Sequence, residues 1–265
     1  MIVDDLGVVL YTSTKGHFGY TDCYKHTVNR LVEVFPHCWE SLTKVAHIKR
    51  SPDDSSEVFL EMFDFLKSNG FDVLVTNGDW GHNKPSHAVG YYQDMKRTLG
   101  HAPLHKKRYV FACEDDWLLN FKVNSTSSIM KAIEFMDTNL DVLCVRVNHD
   151  VHTDLSKTVG PIKDLFYLQH LDYTPYGPTF TFQPTIVRLK EWYHSVRLIL
   201  KKRDVWRKEF NTEYFSYNHC ELVSGETLKV FSDSELPFAF FDPNVIVAQH
   251  IGENEWINRQ IQKPS

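Results

Sequence analysis

Long apolar runs are missing from this chain. No stretch of its 265 residues approaches the ~20 apolar positions that span a bilayer. The opening Met1-Ile2-Val3-Asp4-Asp5 carries acid where a signal peptide carries base, so a cytoplasmic location is the expectation. A basic surplus is missing too. The net charge of -5 runs against a general nucleic-acid binder, and the triplets Lys106-Lys107-Arg108 and Lys201-Lys202-Arg203 read as solvated faces. The five cysteines, at 23, 38, 113, 144 and 220, include no CxxC pair and suggest neither a zinc site nor a disulfide framework. A reducing compartment fits that usage, and Cys113 and Cys144, inside apolar runs, read as small core residues. Glycine-rich phosphate loops are also absent. Lys15-Gly16 lacks Walker spacing and no GxGxxG occurs, which counts against a dinucleotide oxidoreductase.

What is present is an ordinary globular composition, 42% hydrophobic and 24% charged, with aromatics at 14% that can fill a core or line a groove. The first two-thirds alternate between two periodicities. Leu6–Thr12, Lys44–Lys49, Phe71–Thr76, Arg108–Cys113 and Asp141–Val147 read as strands. Between them lie helical patterns: Tyr24 to Phe35 before Pro36, a segment opened by Ser51-Pro52-Asp53-Asp54 and closed by Asn69-Gly70, roughly Ser86–Leu99, and Ser125–Thr138. Continuous apolar strands separated by helices predict an α/β fold, a mostly parallel central sheet flanked by helices. After about residue 150 the rhythm breaks. Thr179–Val187 resembles a strand interrupted by Pro184, residues 189–201 and 204–220 look helical, and Val230–Phe231 and Asn244–Ala248 look extended. The whole chain, 1–265, reads as one Rossmann-like domain, with a nucleotide-binding half to about 150 and an acceptor half beyond it.

Ligands of such sheets bind outside the carboxyl ends of the strands. Polar clusters sit at each of these ends: Ser13-Thr14-Lys15, Lys49-Arg50, Asn77-Gly78-Asp79, Glu114-Asp115-Asp116 and Asn148-His149-Asp150. Three consecutive carboxylates after the buried run Tyr109–Cys113 are electrostatically costly without a counter-charge, and a hard divalent cation such as Mn²⁺ or Mg²⁺ supplies one. Strand alternation sets Glu114 and Asp116 to one side and Asp115 to the other. The plain alternative is an acidic turn capping the next helix.

Tyr109-Val110-Phe111-Ala112-Cys113-Glu114-Asp115-Asp116-Trp117 resembles the strand and DxD-type motif of family-2-like GT-A-fold glycosyltransferases. The late segment Val245-Ile246-Val247-Ala248-Gln249-His250-Ile251-Gly252 resembles a second element of that superfamily, in which the histidine approaches the metal or the diphosphate. The resemblance implies a metal-dependent transfer of sugar from a nucleotide-sugar, UDP-linked by family frequency, to a glycan or glycoconjugate acceptor. It makes Asp116 and His250 the metal ligands, puts Glu114 on the metal through water or on the ribose, and sets Asp115 against the donor sugar or on the backbone. Thr12, Ser13, Thr14 and Asp79 would contact base and ribose, a role for which simple turn chemistry is the alternative. An inverting enzyme needs a carboxylate base from the acceptor half. Glu213 is the first candidate by position, with Glu209, Glu221 and Asp150 as competitors. Trp80, Trp117, Tyr176 and Trp192 could stack on sugar or fill the core.

Three other readings compete. A glycoside hydrolase uses carboxylates from separate elements facing across a cleft, unlike an adjacent triplet. A sugar nucleotidyltransferase calls for a glycine-rich basic loop after the first strand, and Ser13–Gly19 holds a single lysine. A non-catalytic carbohydrate-binding module would keep the scaffold without needing metal.

Overall fold

The computed structural model describes residues 2–14, 22–52, 55–78, 85–121, 125–149, 158–162, 165–169, 173–174, 177–178, 184–209 and 217–250. A short helix, α1 (Ile2–Asp5), leads into β1 (Leu6–Ser13), and α2 (Cys23–Val34) returns to β2 (Thr43–Arg50). Helix α3 (Ser56–Ser68) leads to β3 (Asp72–Asn77), and α4 (Pro85–Leu99) to β4 (Tyr109–Glu114). Strand β5 (Trp117–Phe121), helix α5 (Ser125–Thr138), β6 (Cys144–Arg146) and β7 (Asn148–His149) follow. Short strands β8 (Val159–Ile162), β9 (Phe166–Gln169), β10 (Tyr173–Thr174) and β11 (Gly177–Pro178) precede β12 (Thr185–Arg188). Helices α6 (Leu189–Glu209) and α7 (Tyr217–Lys229) and strands β13 (Phe238–Phe241) and β14 (Ile246–His250) complete the described chain.

The main sheet has nine strands in the order β3-β2-β1-β4-β12-β6-β13-β9-β8. The β3-β2-β1-β4 block is parallel, β12 and β9 run against their neighbours, and β6 pairs parallel with β13. The expected mostly parallel α/β sheet is therefore present. Alternation splits the core into two layers. Leu6, Val8, Leu10, Ala46, Ile48, Tyr109, Phe111 and Val145 pack under α2, α3 and α5, and Val9, Val45, Val110, Ala112, Cys144 and Val187 pack under α4, α6 and α7. Cys113 and Cys144 are core residues, as their apolar surroundings imply. No helix among the described residues is long and apolar enough to cross a membrane.

Local chemistry explains several boundaries. Helix α3 starts later than Ser51-Pro52-Asp53-Asp54 suggested, because Ser55 caps it, accepting from the Val58 N–H at 3.3 Å. It ends as expected at Asn69-Gly70. Gly70 adopts φ 79°, its N–H bonds Lys67 O, and Phe71 N–H reaches back to Leu66 O, a Schellman closure. Other elements differ from the sequence reading. The fifth strand shrinks to Cys144–Arg146, and β12 begins only after Pro184. Helix α6 runs on to Glu209, α7 begins at Tyr217, and Val230–Phe231 lies in a turn whose Phe231 N–H bonds Leu228 O. Strand β5 was not anticipated. Its residues Trp117–Phe121 gain a partner only through β14, which lies more than a hundred residues away in sequence.

Candidate active site

The chain carries its densest negative charge where β4 ends. Tyr109 to Cys113 are buried, and Glu114 stands opposite Tyr11 in the parallel register with β1. The chain then turns at Asp115-Asp116 and reverses into β5. Backbone bonds hold this turn closed. Asp115 N–H donates to Tyr11 O at 3.0 Å, and the Thr27 hydroxyl of α2 lies 2.6 Å from Asp115 O and 3.3 Å from Trp117 O. The position coincides with the topological switch of the sheet, since β1 is flanked by β2 on one side and β4 on the other.

The three carboxylates have separate surroundings. Glu114 points toward the α4 layer and accepts from the Tyr91 hydroxyl at 2.8 Å. Asp115 points to the other face and accepts from the Thr12 hydroxyl at 2.5 Å, beside Met62 of α3. Asp116 is 4% exposed. The alternation expected for Glu114 and Asp115 holds, and the turn carries Asp116 out of the strand pattern. Burial raises the Asp115 carboxyl far above the usual carboxylate range, with Asp116 the next cause and Glu114 a smaller one, against the opposing bond from Thr12. Asp115 thus resists carrying a full charge beside its two acidic neighbours. A divalent cation or a ligand's donors would relieve that strain.

The residues singled out at the tip of β1 have structural partners. Thr12 is the Asp115 donor just described. Thr14 is buried, accepts from Ser51 N–H at 3.0 Å, and ties the tips of β1 and β2 together. Ser13 pairs with Lys49 in register. Strand β14 runs antiparallel to β5 with His250 opposite Trp117, which puts the His250 backbone beside the residue that follows Asp116. Two segments some 130 positions apart, each singled out in the sequence, therefore meet at one edge. The His250 side chain, Asp79, Trp80, Asp150, Tyr176 and Glu213 lie outside the described residues. Trp117 and Trp192 are both packed in the core, which removes them as exposed stacking faces. Of the competing carboxylates, Glu221 is buried on α7.

Three contributors escaped the sequence reading. Thr27 and Tyr91 sit within helical patterns whose polar atoms carry no motif. Arg146 had a visible signal, a lone cation in Leu143-Cys144-Val145-Arg146-Val147. Its guanidinium lies 3.2 Å from Gln169 Oε1 and 5.4 Å over the Phe240 ring. Burial lowers its pKa to about 10, opposed by Cys144 and Glu221. Thr185 pairs with both Ala112 and Arg146, so this cation lies level with Ala112, two residues before the end of β4 and two strands away.

A metal centre here would use few protein ligands. Among the described residues no three His, Cys, Asp or Glu side chains gather into a metal cage. Magnesium-type sites commonly take one or two carboxylates and complete the shell with substrate phosphate and water. Buried Asp116, with like-charged neighbours in need of a counter-ion, fits that kind of site.

No protein-family model and no curated protein matches the chain. Among solved structures it overlays on 4-diphosphocytidyl-2C-methyl-D-erythritol synthase from Anaerococcus prevotii with TM-score 0.46 and 13% identity, covering 99% of each chain. The mannosyltransferase Ktr4p from S. cerevisiae in complex with GDP gives TM-score 0.45 and 13% identity over 89% of this chain and 70% of that one. A glycosyltransferase involved in glycosylation of the major capsid of PBCV-1 gives TM-score 0.46 and 11% identity over 96% and 97%. Overlays this loose carry no functional argument, and the α/β assignment rests on the strand order and register of the chain itself.

Proposed function

We propose that this chain is a metal-dependent glycosyltransferase that moves a sugar from a nucleoside-diphosphate sugar, UDP-linked, to a hydroxyl of a glycan or glycoconjugate. The observation that carries the reading is the placement of Glu114-Asp115-Asp116 at the carboxyl end of β4, next to β1 at the switch point of the sheet. In this reading the chain is one domain, with the donor on the first four strands and the acceptor on the later elements. Asp116 and His250 would hold Mn²⁺ or Mg²⁺, which when bound acts as a Lewis acid on the leaving diphosphate. Glu114, steadied by Tyr91, accepts from a ribose hydroxyl or a metal-bound water. Asp115, steadied by Thr12, faces the donor sugar. Ser13, Thr14 and Asp79 border the base and ribose, and Glu213 takes the acceptor proton in an inverting displacement.

Calorimetry with UDP tests the core of this reading. Binding should strengthen with Mn²⁺ and disappear in Asp116→Ala that keeps its circular dichroism. Metal-independent binding of equal strength in that variant sinks the reading. Release of nucleoside diphosphate from a panel of donors separates a transferase from a binding module. For the base, a folded Glu213→Gln protein with normal donor binding and near-normal transfer eliminates Glu213, and Glu209, Glu221 and Asp150 are then tried in turn.

A further inference from the structure

A concavity lies where α4, α6 and the turn after α7 meet, and none of the three acids at the end of β4 lines it. It measures about 610 Å³ and is lined by Lys96, His194, Arg197, Leu198, Lys201 and Phe231, among others. Cavities of a few hundred to about 1,000 Å³ are the usual size for small-molecule sites. His194, Arg197 and Lys201 fall at i, i+3 and i+7 of α6 and share one helix face, while Lys96 approaches from α4. The floor is partly apolar, and the His194 and Phe231 rings lie 6.2 Å apart there. The Arg197 guanidinium is steadied over the Tyr193 ring at 5.7 Å. Tyr193 itself packs against Gly100, where an added Cβ would meet its ring at 3.1 Å, so the wall between α4 and α6 is tight.

The charge balance of this groove is unusual for the chain. The protein carries a net charge of -5, yet Lys96, Arg197 and Lys201 converge in one hollow. No ion pair among the described residues includes any of the three. Four other described cations, Lys25, Arg30, Lys67 and Arg108, do pair with carboxylates. Three like charges converging on one concavity repel one another, and a bound polyanion reverses that repulsion. Arginine and lysine together suit phosphoryl oxygens, the first through its planar fork and the second as a point charge. The Phe231 and Leu198 floor suits a ring or short carbon chain carrying those phosphoryl groups.

We propose that this groove binds a small phosphorylated ligand, with two or more phosphoryl charges against Lys96, Arg197 and Lys201 and its carbon body on Phe231. A concave site favours a small molecule over a bilayer, which presents a flat surface. The inference stands apart from the reading of the acid run, because none of its residues touches that edge.

Titration calorimetry with inorganic tripolyphosphate and with fructose 1,6-bisphosphate tests it, run with EDTA at physiological salt so that metal-dependent donor binding is silent. One site per chain is expected. Arg197→Gln and Lys201→Gln should each weaken it about tenfold, the loss of one charge-assisted contact. The control Lys106→Gln/Lys131→Gln removes the same charge outside the groove lining, with Lys131 on α5 of the opposite helix layer, and should leave affinity within about twofold, as screened distant charges do. All four side chains are exposed, so the variants keep their fold. Wild-type affinity in Arg197→Gln/Lys201→Gln overturns the proposal, and so does equal weakening in the control. It is overturned as well if phosphatidylglycerol–phosphatidylcholine vesicles are bound while neither soluble anion is. UDP binding with Mn²⁺ should be the same in the groove variants, so either proposal can fail alone.

Discussion

The two edges of the central sheet treat charge in opposite ways. At the amino edge, Asp137 of α5 accepts from the Tyr109 hydroxyl at 2.6 Å and pairs with Arg108. Arg188 closes the same corner, donating to Val142 O at 2.9 Å and Met136 O at 2.5 Å. Burial pushes the Asp137 carboxyl up, yet the bonds from Tyr109 and Arg108 outweigh it and hold the group below the usual carboxylate range. Asp72, at the start of β3, is likewise held down, first by its bond from His101. At the carboxyl edge the shifts reverse. Asp115 is raised by burial and by its acidic neighbours. Just beneath that edge, burial raises Asp94 to about 6 and lowers His47 to about 4, although the two lie only 3.5 Å apart. That contact has the distance of an ion pair, but both shifts favour the neutral forms, so desolvation dominates it. One edge spends its charges on stability. The other holds polar groups under strain, which is where ligand chemistry is expected.

Breaking the amino edge should have the largest effect. Arg188→Met leaves the Val142 and Met136 carbonyls without their donor and should cost about 2–4 kcal/mol in urea denaturation, with UDP affinity unchanged. An unchanged midpoint would mean that this corner carries no stability.

Beneath the carboxyl edge the sign should invert. Asp94 has a raised folded pKa, so its contribution is fully present below the ordinary 3.8 and is lost as pH rises through about 6. Asp94→Asn should therefore stabilise the protein at pH 8 by about 1–3 kcal/mol and have little effect near pH 3. His47 has the opposite slope: its contribution is present above 6.5 and lost as pH falls through about 4. The two slopes oppose each other between pH 4 and 6 in the wild type, and Asp94→Asn should expose the His47 slope in thermal melts across that range. Destabilisation by Asp94→Asn at pH 8 would remove the contrast between the edges.

A smaller and opposite effect is expected at Asp137. Its depressed pKa contributes stability above the ordinary carboxylate range that is lost as pH falls. Its side chain is 34% exposed, so after solvent screening Asp137→Asn should cost only about 0.5–1 kcal/mol at pH 7. Tyr91→Phe should change stability least, by about 1 kcal/mol or less, because Glu114 is half-buried and can turn to water. In the proposed function its effect is read instead in weaker UDP binding with Mn²⁺.

Much of the first 150 residues was legible because its signals are local. The runs Leu6–Thr12 and Tyr109–Cys113 are apolar on both faces, as strands covered by two helical layers must be. Asn69-Gly70 announced its closure through the one residue type that adopts φ 79° without strain. Strand β5 was not legible, since Trp117–Phe121 becomes a strand only by pairing with β14. Strand β13, Phe238–Phe241, was missed although all four residues are buried, because so short an apolar run does not distinguish strand from turn. At the site, the acid run and the late histidine segment stood out in the sequence. Thr27 and Tyr91 did not, because their roles depend on which backbone carbonyl or carboxylate the fold brings within 3.5 Å, and the lone cation Arg146 gains its partner Gln169 only in the folded sheet.

By itself the sequence determined the α/β alternation, the buried character of β4 and the presence of three acids at its end, since each follows from periodicity and composition within a few residues. Only the tertiary structure decided that β1 and β4 are neighbours, that Asp115 is held by Thr12 and Glu114 by Tyr91, and that the His250 backbone stands opposite Trp117. It alone also decided that Lys96 joins the stripe His194, Arg197 and Lys201 around one hollow. The physical reason is the same in each case. Propensity and burial act over a turn or a strand, whereas pairing and charge depend on distances that the packed chain sets.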